Sequence, residues 1–389
     1  MGRIAALAAC ALLAIAVAAT VRLAVADHLF RAGNLDALSR AVRIEPGNAQ
    51  YHAWLAEYQE AEGLDPDPAL AEASRLNPLD STVLIRRGLR AEFRNDFAAA
   101  GKLLLEAARV DHLFDPRAAL ANFYFRRQQP EPFWQWTREA LRVSYGDLTF
   151  LFRLCWRMTS DPAVIQARAL TPDRRVLRQY LRFLLDENHF EAAPQIALQL
   201  AGMAEKDDTE VILGFVDRAL PAGDPQLEAW NKLCARGLLP FTPARSGALT
   251  NADFRAPVTS RGFDWRLPAT DEITAVPLSA GGVRIDLSGK QPEQTELLAQ
   301  FVPLAPGRTC HLRFEYQTSG FPAESGVVWK ILDVASPALS SSGPKPMDIV
   351  FSTRGASLGR LVLGYGRASG ATRLEGSITL RDLALDCAP

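Results

Sequence analysis

Between residues 41 and 145 one phrase recurs four times. Ala41-Val-Arg-Ile-Glu-Pro46, Ala73-Ser-Arg-Leu-Asn-Pro78, Ala107-Ala-Arg-Val-Asp-His112 and Ala140-Leu-Arg-Val-Ser-Tyr145 stand at spacings of 32, 34 and 33 residues. A period of about 34 residues marks stacked helical hairpins, each with an apolar face that it buries only against its neighbours. Arrays of this kind present an extended surface that is used for binding. The period therefore constrains architecture strongly and ligand identity not at all.

Within residues 81 to 114, Leu84, Gly88 and Ala91 fall on a first helix and Ala100, Leu104 and Ala107 on a second. Small residues at Gly88 and Ala100 let two helix axes approach, while Leu84 and Leu104 fill the seam at helical spacing. Pro46 and Pro78 end one hairpin and start the next. Leu55 and Ala56 occupy the places that Arg87 and Gly88 take one repeat later. These positions resemble the tetratricopeptide repeat, with His112 and Tyr145 departing from its terminal Pro. Turn phrases at Gly33-Asn34, Asn95 to Ala98 and Asn188 to Ala192 extend the pattern. Five to six hairpins are expected over residues 23–240, degenerating beyond Tyr145, and the resemblance implies a protein partner held by the solenoid.

Ahead of the repeats, residues 4–21 carry no charge and lie between Arg3 and Arg22. At helical rise they span roughly 27 Å, close to the thickness of a hydrocarbon core. The segment reads as a single-pass anchor over residues 1–22. A secretory signal cleaved after Ala26, with Ala24-Val25-Ala26 as the small-residue site, is the competing reading. The anchor is preferred because Asp27 to Gly33 reads as the end of the first hairpin's leading helix, and cleavage would remove half of that helix. Cys10 also sits in a lipoprotein-like box, but only a short stretch precedes it and a long apolar one follows.

With 43 basic and 44 acidic residues and no basic block, nucleic acid is excluded as the expected partner. The chain is long and apolar enough for two cores. Phe241 to Leu249 is rich in Pro, Gly, Ser and Thr and reads as a linker. Beyond it, over residues 250–389, the period changes to two. Val283, Ile285 and Leu287 alternate with polar residues, as do Leu312, Phe314 and Tyr316, then Val327, Trp329 and Ile331, then Leu361, Leu363 and Tyr365. A phase slip between Leu380 and Leu383 predicts a bulge. The expected fold class is multidomain: a transmembrane helix, an all-α solenoid and an all-β sandwich. Cys310 and Cys387 share the sandwich, either as one disulfide, as an oxidising compartment permits, or as two buried thiols. No Cys/His spacing suits zinc, and no metal or cofactor is expected.

The run Leu298 to Gly307 leading into Leu312 to Thr318, the opening phrase Asn251-Ala-Asp253-Phe254-Arg255 and the close at Arg381-Asp382 resemble a carbohydrate-binding-module jelly roll. Arg255 stands where that family has Glu, which puts its calcium site in doubt. Gly262-Phe263-Asp264-Trp265-Arg266-Leu267 further resembles a phrase of membrane-anchored tetratricopeptide proteins associated with bacterial exopolysaccharide production. Glycan binding needs a ring presented flat beside polar groups. Trp265, Tyr365, Trp329 and Tyr316 are the candidates, with core packing the competing role for Trp329 and Tyr316. Trp265 is expected to pack the opening strand against the helices, with Asp264 and Arg266 an exposed pair.

Trp134 and Trp136, in a dense group with Phe133, Phe150, Phe152 and Trp156, either line a groove or fill the interfaces between hairpins. Gly355-Ala-Ser357-Leu-Gly359 matches a nucleophile elbow, but no His follows it. No catalytic set stands out. The resemblances imply a non-enzymatic, membrane-anchored scaffold on the periplasmic side of a bacterial inner membrane, supporting exopolysaccharide assembly or export. The alternatives are a glycan-binding protein acting through the sandwich and, third, a polysaccharide hydrolase.

Overall fold

The structure is a computed structural model that describes residues 2–144, 146–219, 224–268 and 270–388. Tyr145, the end of the fourth repeat phrase, lies outside the described residues. The chain forms two compact units, Met1–Val176 and Leu177–Pro389.

The first unit contains α1 (Gly2–Arg31), α2 (Leu35–Ile44), α3 (Ala49–Ala61), α4 (Asp67–Leu76), α5 (Ser81–Phe93), α6 (Phe97–Val110), α7 (Phe114–Arg126), α8 (Pro130–Val143), α9 (Thr149–Met158) and α10 (Pro162–Arg168). Helix starts follow the local chemistry. The side chains of Asn34, Asn48, Asp80, Asp96 and Asp161 each accept a backbone N–H of the first turn, satisfying donors that the helix itself leaves open. Helix α1 is long and apolar enough to cross a membrane. It continues without a break into the first hairpin, where Ala26 is fully buried with Ala41 and Tyr51.

Hairpins close through small residues. A Cβ on Gly88 would lie 2.9 Å from Cγ of Leu104, so α5 and α6 touch almost backbone to side chain at that level. Neighbouring hairpins are joined by arginines. Arg86 of α5 donates to the Ala53 carbonyl at 3.2 Å and to Glu60 at 2.9 Å on α3. Arg126 of α7 grips Glu92 of α5 with two bonds of 2.7 and 2.5 Å.

Helix α11 (Arg174–Asp186) leads into the second unit, which continues with α12 (Ala193–Met203), a short 3-10 turn at Lys206–Asp208, α13 (Thr209–Ala219) and α14 (Asp224–Ala235). The same arginine device recurs there: Arg218 caps the Leu185 carbonyl at 2.6 Å and Arg236 the Ala204 carbonyl at 2.9 Å. Adjacent helices pack in pairs, α1 with α2, α3 with α4, α5 with α6, α7 with α8 and α13 with α14. Helices α9 and α10 are only 10 and 7 residues long, so this stretch falls short of the repeat length and breaks the period.

After α14 come β1 (Ile273–Pro277), β2 (Val283–Ser288), β3 (Gln294–Pro303), β4 (Thr309–Ser319), β5 (Val327–Ile331), β6 (Val334–Ala335), β7 (Lys345–Ser352), β8 (Leu358–Gly366) and β9 (Glu375–Ala388). They form a sheet of order β1-β2-β9-β4-β7 and a second of order β3-β8-β5-β6, with every pairing antiparallel. The inward residues of both sheets meet in one core, as alternation requires. The phase slip in β9 is a bulge: Arg313 faces Ala384 while Glu315 faces Arg381, and Asp382 takes a φ of 52°.

Substituting Gly88→Val adds volume where Leu104 already touches. The expected cost is about 1–3 kcal/mol of stability in the first unit, read as a lower helical melting transition. An unchanged transition would show that the α5–α6 seam has room to spare.

Candidate functional site

Position by position, the sandwich turns its aromatic residues inward. Trp265, Trp329, Tyr316 and Tyr365 are all buried. Phe254 stacks on Trp265 at 5.1 Å between ring centroids, Trp265 leans on Trp329 at 6.4 Å, and Phe314 meets Trp329 edge-on at 5.9 Å. The Trp265 indole N–H donates to the Asn251 carbonyl at 3.0 Å, and the Leu374 N–H donates to the Tyr365 hydroxyl at 3.0 Å. A ring closed in on both faces has none to offer a pyranose, so these four residues act as core and not as a stacking platform.

The segment around Trp265 differs from expectation in a second way. Phe263, and not Trp265, faces the helices, meeting Trp230 of α14 at 6.0 Å. Asp264 is fully buried rather than exposed and accepts from the Thr259 N–H at 2.6 Å and hydroxyl at 2.9 Å. Burial pushes its carboxyl above the ordinary range, against the pull of those donors. Arg266 lies over the Phe301 ring at 4.8 Å and reaches Asp217 of α13 at 3.4 Å. Asp217 also accepts the Gly262 N–H at 2.7 Å and pairs with Arg261, while Glu210 takes Arg261 at 3.0 Å. Gly262 has φ +51° and presses against Trp230, whose ring a Cβ would strike at 2.4 Å. Helices α13 and α14 are thereby locked to the sandwich. Nothing in the local sequence pattern marked Asp217, Trp230 or Arg261 for this role.

Cys310 and Cys387 stand directly opposite on β4 and β9 and form a disulfide, with Cα atoms 4.0 Å apart. Burial raises the Cys155 thiol far above the ordinary value and the Cys234 thiol to about 12. Neither is a thiolate at neutral pH.

The outer face of the five-stranded sheet is charged. His311 lies 3.0 Å from Asp348, and Arg313 reaches Asp348 at 3.5 Å and Asp386 at 3.4 Å. The His311 bond, with Arg313 beside it, holds the Asp348 carboxyl below its usual range. At the end of the sandwich, a depression of about 610 Å³ is lined by Asn251, Asp253, Arg255, Arg381 and Asp382. Arg255 pairs there with Asp253 at 3.4 Å, so a guanidinium sits beside a carboxylate that a cation would need. Among the described residues no group of three or more His, Cys, Asp or Glu is placed to hold a metal.

In the first unit, Trp134 is buried on Phe133 and borders a polar hollow with Glu131, Arg138 and Arg168, whereas Trp136 packs into the core formed by Phe123 and Leu104. The two tryptophans do not line one groove. They lie two residues apart on α8 and therefore point to different sides of it. Exposed apolar side chains of the first unit lie on several helices, among them Leu105 on α6 and Phe150 on α9. On α5, Leu89 and Phe93 are one turn apart and 41% and 83% exposed, with Trp54 of α3 also exposed. Arg86, Glu57, Glu60, Glu92 and Arg126 flank them as ion pairs. An apolar pair rimmed by charge is the chemistry of a protein contact.

No family model and no curated protein matches the chain. Among solved structures it is similar to one described as "CBM4 structure and function", at 13% identity and a TM-score of 0.29, covering 36% of this chain and 98% of that one. It is also similar to one described as functional characterization of Pseudomonas aeruginosa pilF, at 16% identity and a TM-score of 0.29, covering 55% of this chain and 93% of that one. Likeness at these values has no bearing on function.

Trp265→Ala empties the centre of the sandwich and is expected to cost roughly 3–5 kcal/mol in the second unit, seen in its denaturant midpoint. A variant with the wild-type midpoint would contradict a core role for this ring.

Proposed function

We propose that this protein is a non-enzymatic, membrane-tethered scaffold, with its bulk on the periplasmic side of a bacterial inner membrane, whose helical repeats hold a protein partner. The observation that carries the reading is the exposed Leu89–Phe93 pair on α5. Among the described residues of the sandwich, by contrast, the exposed large apolar ones are Val276, Leu332 and Val350, scattered singly. Its rings are spent on its own core, so its part is that of a cap fixed to α13 and α14.

Support for the anchor comes from α1, whose residues 23–31 belong to the first hairpin. Cleavage after Ala26 would remove Arg22, which pairs with Glu45 at 2.6 Å, and Ala26, which is fully buried. The disulfide suits an oxidising compartment on the far side of that membrane. A setting in exopolysaccharide assembly or export rests on the resemblance of the Gly262 to Leu267 phrase.

Replacing Leu89 and Phe93 together by Asp is expected to leave the fold intact, because both are exposed, and to abolish complementation of polymer secretion in a deletion strain. Secretion restored to the wild-type level by the double variant would overturn the partner surface. A deletion that leaves polymer output unchanged would overturn the setting.

A further inference from the structure

The repeat stack has two ends, and α1 decides which of them faces the bilayer. Arg22 marks the end of the uncharged stretch 4–21 and pairs with Glu45, the residue that closes α2. Ala26 meets Ala41 in the same core, so α1 and α2 run antiparallel and the turn at 45–48 lies at the level of Arg22. The next turns at this end follow by direct contact. The His52 ring, one helical turn into α3, lies 2.9 Å from the Pro46 carbonyl, and the next residue, Ala53, packs against the cluster that holds Ala73 near the end of α4 and Val83 near the start of α5. Ser81, beginning α5, donates to Asp111 of the α6–α7 turn at 2.7 Å. The turns 45–48, 77–80 and 111–113 thus form one row.

The other end is tied separately. A Cβ on Gly33 would lie 3.3 Å from the Tyr58 hydroxyl, and Arg90 near the end of α5 reaches Asp65 in the α3–α4 turn at 3.1 Å. Leu64 belongs to that far end.

We propose that the row of turns at 45–48, 77–80 and 111–113 rests on the surface of the membrane that α1 spans, with Leu79 and Leu113 entering the headgroup zone. The inference rests on the anchor reading. If residues 4–21 fill the hydrocarbon core, Arg22 stands where that core ends, and the turns level with it stand there too. Leu79 and Leu113 are 67% and 69% exposed at those turns, placed to bury their side chains only in something outside this chain. The arginines of the repeat phrase, Arg43, Arg75, Arg109 and Arg142, come in the last turn of α2, α4, α6 and α8, at the same end and exposed. They are suited to phosphate oxygens of phospholipid. Glu72, Glu106 and Glu139 pair with three of them, so the contact does not depend on strong net charge. The repeat period then has a second consequence: each repeat that keeps the phrase delivers another arginine to the bilayer.

The test uses the full chain with Cys10→Ser, carrying in turn Ile15→Cys, Leu64→Cys, Leu79→Cys or Leu113→Cys, labelled with an environment-sensitive fluorophore. Buried Cys155 and Cys234 keep their protons at pH 7 and escape labelling. In phosphatidylcholine–phosphatidylglycerol vesicles containing a quencher lipid, emission is expected to be lost at 15, 79 and 113 and kept at 64. Loss at 15 with full emission at 79 and 113 would overturn the surface contact while leaving the anchor in place. Full emission at 15 would overturn the anchor and the contact with it. Loss at 64 equal to that at 79 would overturn the orientation.

Discussion

Everything distinctive in the first unit follows from one shared helix. The residues of α1 that leave the apolar stretch are the same residues that build the first hairpin, through Ala26 against Ala41 and Tyr51 and through Arg22 with Glu45. In the proposed anchor reading, a helix that continues from the membrane into the first hairpin cannot flex between them without breaking its own hydrogen bonds, so it would fix an orientation as well as a location. The direction of every following hairpin in the unit is set by that first one, because each turn is short and each pair antiparallel.

Two devices recur along the helices. Small residues such as Gly88 and Ala100 bring paired helices close, and arginines such as Arg86, Arg126, Arg218 and Arg236 cross to a neighbouring helix and satisfy a carboxylate or an open carbonyl. Hydrogen bonds from guanidinium to helix-end carbonyls satisfy groups that a helix leaves unpaired. The sandwich rests on a different economy, with Trp265, Trp329, Phe254, Phe314 and Tyr316 in one interior.

Legibility in the sequence tracked the range of the interaction. The hairpins were readable because helix pairing repeats a local pattern, and the strands because Leu312, Phe314 and Tyr316 alternate with polar neighbours. The period fades beyond Tyr145, where α9 and α10 are only 10 and 7 residues long. Tyr316 and Trp329 share phase with apolar neighbours on their strands, and both are buried, the core role that the alternation offered beside the ligand one. Trp265 lies outside any strand, so its burial is set by Phe254 and Asn251, which sequence reading cannot place beside it. The Asp217–Arg261–Gly262 lock joins residues 44 and 45 apart, without periodicity, so no local pattern announces it.

The proposed orientation requires α1 to persist as one helix in the mature protein. Intact mass and N-terminal sequencing of the protein recovered from the membrane fraction after alkaline extraction test this most directly. The expected result is a membrane-retained chain that still contains residues 4–26 together with the closed Cys310–Cys387 disulfide. A soluble product beginning at Asp27 would contradict it.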